Sequence, residues 1–558
     1  MGHAGIRRLF ANHGDHGARN GVLSEDDEDM DGENSARRRR RAATSSKNLP
    51  PVPSDQGRKL INSGTFGSNG RFSHVRRNQK PRLARQVLDR EIGREIGYEK
   101  GLGGRISQHM IPSSAADMII HYNSRAYSGQ FSDDGNFYFS CAQDFKVRMY
   151  DTSNPYNWKY YKTVVYPVGQ WTITDASLSP DNRFLAYSSI NSIVCLAPTD
   201  PNETREPWLL DFSDMSGRRR ARGGFTPYSN FGIWSLRFSG DGREIVAGTS
   251  DHSVYVYDIA TRQSILRIPG HSDDVNAVCF GDQSSPHILY SGSDDTLIKV
   301  WDRRSMGDSR EAGVFVGHTE GLTYVDSKGD GRFVLSNGKD QTMKLWDLRK
   351  MMSTDQASKL EPERWRNGFD YRFMSFSEDD YRPHPNDCSL VTYRGHSVLK
   401  TLIRCHFSPL GSTDSRYVYS GSECGSVHVY NLDATLAGKI DVNAATHHSR
   451  PRNFDASINE WAWEDDARSN HQQWKTCVRD VSWHPHAPIV AATSWNGWGM
   501  STGTCTVHSW NDGADDDEGD PKMGLRVSQK LEQDDGFYDD YAAARFRGNS
   551  TRRARPNS

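Results

Sequence analysis

Residues 290–304 read YSGSDDTLIKVWDRR and residues 335–349 read LSNGKDQTMKLWDLR, two copies of one pattern whose tryptophans, Trp301 and Trp346, stand 45 residues apart. Each copy opens on an apolar residue and a serine, passes through an Asp-containing turn, and closes on an alternating strand that ends in Trp-Asp. A Gly-His pair precedes each, at Gly270-His271 and Gly317-His318. A period of about 40–45 residues marked by Gly-His and Trp-Asp is that of WD repeats, which stack as blades of a β-propeller.

Weaker copies extend the pattern in both directions. Gly395-His396 opens a unit that ends in Val429-Tyr430-Asn431, and Trp234 to Asp258 has the same layout. Val481 to Asn511 repeats it loosely, as do Tyr127 to Asp151 and Asp175 to Leu196. Each unit reads as short strands separated by Asp, Gly, Ser and Asn turns. The sequence therefore predicts an all-β, seven-bladed WD40 propeller over residues 105–511. Asp117 to Tyr122 has no partner strand in its own unit and is expected to close the ring as the outer strand of the seventh blade, removing the open edge.

The repeat marks have a physical purpose. A buried indole N–H and a buried imidazole need hydrogen-bond partners. His271, Ser291, Asp295 and Trp301 are expected to supply one another, and so are His318, Ser336, Asp340 and Trp346. Recurrence in both well-formed repeats argues that these Asp-His-Ser sets are structural rather than catalytic.

Outside the ring, charge is segregated although the formal net charge is only −2. Glu25 to Asp29 precedes five arginines, Arg37 to Arg41, and Asp515 to Glu518 precedes Arg552, Arg553 and Arg555. Such blocks repel compact packing, so residues 1–80 and 512–558 are expected to be disordered tails. Between them and the ring, Leu83, Val87, Leu88, Ile92 and Ile96 fall at helical spacing, predicting a short amphipathic helix and linker over 81–104. Long insertions are expected near 351–390, separating the fifth and sixth units, and near 433–473, separating the sixth and seventh. The basic runs 37–41 and 218–222 suit an address signal or a solvated loop more than nucleic-acid contact, because no nucleic-acid-binding motif accompanies them.

Chemistry-bearing motifs are few. The eight cysteines form no Cys-x-x-Cys, and several sit in apolar strand-like runs, which fits reduced thiols in nucleus or cytoplasm. No stretch is long and apolar enough to span a bilayer. Gly499-Met-Ser501-Thr-Gly503 has the spacing of a nucleophile elbow, but that device needs a following helix, and the next residues read as a strand. No phosphate-cradling loop or His-Glu-x-x-His occurs, and His447-His448 and His484-Pro-His486 read as exposed loop histidines. Neither a cofactor nor a metal nor catalysis is expected.

Binding surface remains. Arg304 and Arg349 follow their Trp-Asp pairs by the same spacing, so they leave adjacent blades on one face. A guanidinium presents a planar fork of donors that suits carboxylates and carbonyls of a partner. The insertion adds Trp365, Phe369, Tyr371 and Phe373 among arginines, the residue types enriched in interface hot spots.

These paired Trp-Asp-x-Arg motifs resemble those of the WD-repeat substrate receptors of cullin-4 RING ubiquitin ligases. The stretch from Pro112 to Tyr150, and Phe231-Gly-Ile-Trp-Ser-Leu-Arg-Phe-Ser239, are similar to the family of WD repeat-containing protein twenty-three and its plant LEC14B-like relatives. The resemblance covers the propeller and leaves out the tails. It implies that Asp302, Arg304, Asp347 and Arg349 face the adaptor damage-specific DNA-binding protein 1, and through it cullin-4. It also implies that a helix ahead of the propeller wedges into that adaptor, and that the chain holds a substrate protein for ubiquitination without a reacting side chain of its own. The substrate does not carry over. The alternative expectation is a WD40 scaffold of a nuclear ribonucleoprotein or chromatin complex, suggested by the arginine-rich runs.

Overall fold

The computed structural model describes residues 49–67, 88, 104, 107–203, 205–213, 231–282, 284–305, 310–360, 362–366, 368–377, 380–447 and 474–510. Seven four-stranded antiparallel sheets follow one another along the chain. Six use consecutive strands, over residues 126–165, 173–211, 233–269, 275–315, 322–393 and 405–441. The seventh combines Trp474–Trp483, Ile489–Trp498 and Thr502–Ser509 with Met118–Tyr122, which pairs antiparallel with the last of them from Met118↔Val507 to Tyr122↔Gly503. One strand from the start of the propeller thus completes the blade at its end and closes the ring.

Blades four and five carry the two complete repeats. Their third strands are Ile298–Asp302 and Met343–Asp347, and both tryptophans are fully buried. Apolar side chains of neighbouring blades interleave, as where Trp346 of blade five joins Cys279, Tyr290, Ile298 and Phe315 of blade four in one cluster. On the axis, inner charges from several blades meet in a largely buried ionic network.

Three sequence expectations about the non-propeller segments need correction. Residues 49–67 fall within the predicted disordered tail, yet Asp55–Ser63 forms an α-helix (α1). Ser54 caps it, accepting from the Gly57 amide, and Gly64 ends it in the left-handed conformation, φ 73°. The 351–390 segment does not separate two blades. It lies inside blade five, between the third strand and a fourth strand, Val391–Tyr393, placed just before Gly395-His396. Residues 433–473 are likewise not all insertion, since Leu436–Asp441 is the fourth strand of blade six and Val442–His447 is helical. The predicted 81–97 helix, apart from Leu88, lies outside the described residues, as do both basic runs and residues 511–558.

Candidate functional site

In each complete repeat four side chains close one buried hydrogen-bonded set. His271 Nδ1 lies 2.7 Å from Asp295 Oδ2, its Nε2 lies 2.7 Å from Ser291 Oγ, and Trp301 donates its indole N–H to that same oxygen at 2.8 Å. The blade-five distances are 3.0 Å for His318–Asp340, 2.7 Å for His318–Ser336 and 2.8 Å for Trp346–Ser336. Burial opposes ionisation of Asp340, but the His318 imidazole and its hydrogen bond outweigh it and bring the carboxyl down to about 2. In blade six the tryptophan position is Tyr430, whose hydroxyl meets His396 at 3.2 Å, so the degenerate repeat keeps a shortened version. These groups tie the loop before a blade to its second and third strands. None is free for chemistry.

The Trp-Asp endings deliver the candidate binding residues. All third strands run in one sense, so Asp302 and Asp347 end on the same face as the turns between first and second strands. Those turns touch between blades four and five, where Gly331 donates its amide to Gly281 at 3.0 Å. Arg304 is exposed and grips its own Asp302 with two nitrogens, Nε to Oδ1 at 2.9 Å and Nη2 to Oδ2 at 2.8 Å. This hydrogen bonding holds the Asp302 carboxyl below its usual range. Arg349 is exposed too, but its guanidinium forms no hydrogen bond among the described residues. Asp347, buried at 5% exposure, is held instead by Arg332, with Nη2 2.8 Å from Oδ2 and Nε 3.2 Å from both oxygens. Burial pushes its carboxyl up, and the Arg332 bonds with the Arg349 amide outweigh that and lower it.

The N-terminal segment reaches this face. Ser54 donates its amide to Asp433 O at 2.7 Å, beyond the third strand of blade six, and α1 lays Gly57, Leu60 and Ile61 inward. Phe66 then packs 4.8 Å from Phe333 of blade five, and Lys328 bonds the Thr65 carbonyl at 3.0 Å. Sequence reasoning missed this strap and Arg332. The strap left a signal, a Ser54-Asp55 start and a Gly64 stop, within a polar stretch that masked it.

The aromatic insertion leaves this face and crosses to the other. Met352 bridges Val314 at the outer edge of blade four, Ala357 packs beside Val314 and Val316, and Arg366 approaches Asp273 at 3.5 Å on the Gly-His side. Tyr371 is half-buried beneath Lys339, whose ammonium lies 4.6 Å from its ring and 2.6 Å from Asp294. Phe369 braces Phe376 at 5.4 Å. Trp365 stays 40% exposed and Phe373 78% exposed. The four aromatics therefore divide, two serving as braces and two presented outward.

His484 is buried rather than loop-exposed, its ring 3.1 Å from the Gly135 carbonyl, because its loop folds under blade one. Ser501 sits in the hairpin between two strands of blade seven, with no helix after it.

The WD domain, G-beta repeat model matches residues 224–258, 262–302 and 309–347. Along most of its length the chain is 39% identical to the LEC14B homolog of Prunus armeniaca, over 78% of this chain and 84% of that protein. It is 41% identical to the LEC14B protein of Lithospermum erythrorhizon, over 70% and 75%. It is 33% identical to the DDB1- and CUL4-associated factor 11 homolog of Caenorhabditis elegans, over 76% and 68%.

Proposed function

The chain belongs to the WD-repeat family that includes the LEC14B proteins and DDB1- and CUL4-associated factor 11, and from that membership we propose that it is the substrate-receptor subunit of a cullin-4 RING ubiquitin ligase. The observation that carries this is the pair of Asp-x-Arg turns on adjacent blades, opening on one face with both guanidinia exposed. Two forks of planar donors, fixed to a rigid ring, suit the carbonyls and carboxylates of a protein adaptor. The relatives' name supplies the adaptor, damage-specific DNA-binding protein 1, and the cullin beyond it. Asp302, Arg304, Asp347 and Arg349 face that adaptor in this proposal, and α1, seated on the same face, borders the contact.

The opposite face then remains for the substrate, and the insertion that presents Trp365 and Phe373 is its docking element. Ubiquitin transfer proceeds because the substrate is held near the charged partner enzyme, so the contribution of this chain is proximity rather than a reacting group. The proposal places the protein in nucleus and cytoplasm. Co-purification of the adaptor with the wild-type chain, set against an Arg304→Ala/Arg349→Ala variant, tests it. Recovery with wild type and loss from a folded double variant is the expected result. No adaptor with wild type sinks the proposal, and equal recovery from the double variant sinks the arginine role.

A further inference from the structure

We propose that Arg332 is a positioning residue of the adaptor-facing surface: by holding Asp347 it keeps the Arg349 guanidinium free to reach a partner. This rests on the function proposed above. The two Trp-Asp-x-Arg turns share one backbone arrangement. In each, the amide two residues past the aspartate donates to its Oδ1, at 3.0 Å from Arg304 to Asp302 and 3.1 Å from Arg349 to Asp347. They differ in which guanidinium satisfies the carboxylate. Asp302 takes the motif's own arginine, whereas Asp347 takes Arg332 from the turn just ahead of the preceding strand.

The molecule contains its own control. Phe333 pairs with Asp347 in the blade-five hairpin as Ile288 pairs with Asp302 in blade four, so His287 occupies the position equivalent to Arg332. An imidazole has no planar fork of donors, and His287 makes no hydrogen bond to Asp302. With no second guanidinium bonded to it among the described residues, Asp302 holds Arg304 folded back onto itself. At Asp347 the Arg332 fork spans both oxygens and the Arg349 amide takes Oδ1, so the carboxylate is satisfied without the Arg349 guanidinium. Arg349 is thus presented without a competing intramolecular bond, while Arg304 is held in one pose by Asp302, with its Nε and one Nη2 donor already committed.

Neighbouring groups set the pose of Arg332. Its guanidinium lies 4.4 Å from the centre of the Phe333 ring, and that ring also packs on Phe66 of the N-terminal strap. The other charges on this turn are accounted for, since Lys328 is engaged by Asp330 and by the Thr65 carbonyl.

Titration of the purified adaptor damage-specific DNA-binding protein 1 against the full chain tests the proposal, using wild type, Arg332→Ala, Arg349→Ala and the double variant. Arg332→Ala is expected to weaken binding about three- to fivefold, the ratio one exposed ion pair is worth, because Arg349 folds back onto Asp347. The double variant is expected to bind no more weakly than Arg349→Ala alone, since Arg332 acts through Arg349. A reciprocal gain makes the test independent of any folding defect: His287→Arg, which removes no bond to Asp302, is expected to free Arg304 and tighten binding by a similar factor. Losses that simply add, or wild-type affinity in both Arg332→Ala and His287→Arg, overturn the positioning role and leave the receptor proposal standing. Absence of binding by wild type overturns both.

Discussion

Arg404 of blade six reaches Asp175 of blade two across the axis of the ring, Nη2 to Oδ1 at 2.7 Å, while its Nη1 lies 3.2 Å from Asp480 of blade seven. Arg237 of blade three takes the other oxygen of Asp175 at 2.7 Å, and the ring of Tyr324 of blade five lies 5.1 Å from Arg404 and 5.3 Å from Arg237. Blades that share no sheet edge are thereby joined through charges of which Asp175, Arg404 and Asp480 are buried and Arg237 is nearly so. Removing one member of such a network strands the others without compensation, at a cost of about 3–5 kcal/mol. Asp175→Ala is therefore expected to lower the unfolding free energy by that amount, read as a lower urea midpoint with little change in the denaturant slope, since the surface exposed on unfolding stays the same. A variant with an unaltered midpoint would show that the axial charges do not hold the ring.

The two tryptophan-centred sets and the two motif arginines separate fold from proposed function. Ser336 Oγ serves both the Trp346 indole and the His318 ring, so Ser336→Ala leaves two buried polar groups unanswered. Each orphaned group costs about 1–3 kcal/mol. Arg349→Ala removes an exposed side chain with no internal bond and is expected to change stability by under about 0.5 kcal/mol. Chemical denaturation of the two variants side by side checks the contrast. A neutral Ser336→Ala contradicts the structural role of the set.

The contrast also marks what the sequence could disclose. His318, Ser336, Asp340 and Trp346 lie within one repeat, and their spacing is a local property that recurs, so the propeller is legible from the chain alone. The motif arginines are legible for the same reason. Arg332 is not, because its partner is chosen by hairpin register, which places Phe333 opposite Asp347. The α1 strap is hidden for another reason: Gly57 is a poor helix former, and the helix is stabilised by the surface it covers rather than by its own pattern. Leu436–Asp441 was lost inside an expected insertion because an outer strand, half in water, shows little apolar alternation.

Acid should weaken the ring, and the sign follows from its histidines. Burial disfavours the charged imidazole of His396, His428, His484 and His508, bringing them down to about 3, 4, 4 and 4 from an ordinary 6.5. Below 6.5 the unfolded chain binds protons that the folded chain refuses, so stability is full above that value and is lost as pH falls toward the folded values. Each imidazole contributes a slope of at most about 1.4 kcal/mol per pH unit in that window. Asp340 and Asp480, both held at about 2, act in the same direction at lower pH. Thermal unfolding midpoints are expected to fall between pH 7 and pH 5, and more shallowly in His508→Gln, which keeps polarity but cannot take up a proton. An identical pH slope in that variant would remove His508 from the account.

Gly57 decides whether the strap seats. Its Cα faces the Leu432 carbonyl so closely that any side chain would collide with that backbone. Gly57→Leu improves intrinsic helix propensity, so a simple propensity argument expects a firmer helix. The contact geometry expects the opposite, namely α1 displaced from blade six with its helical fold no longer supported. Hydrogen exchange distinguishes the two, because short helices without tertiary packing are marginal in water. In Gly57→Leu the amides from Arg58 to Ser63 are expected to lose protection while those of Met343–Asp347 keep theirs. Phe66→Ala, which removes the aromatic contact to Phe333, is expected to shift the same amides in the same direction by a smaller factor. Retained protection in Gly57→Leu would mean that α1 does not need this surface.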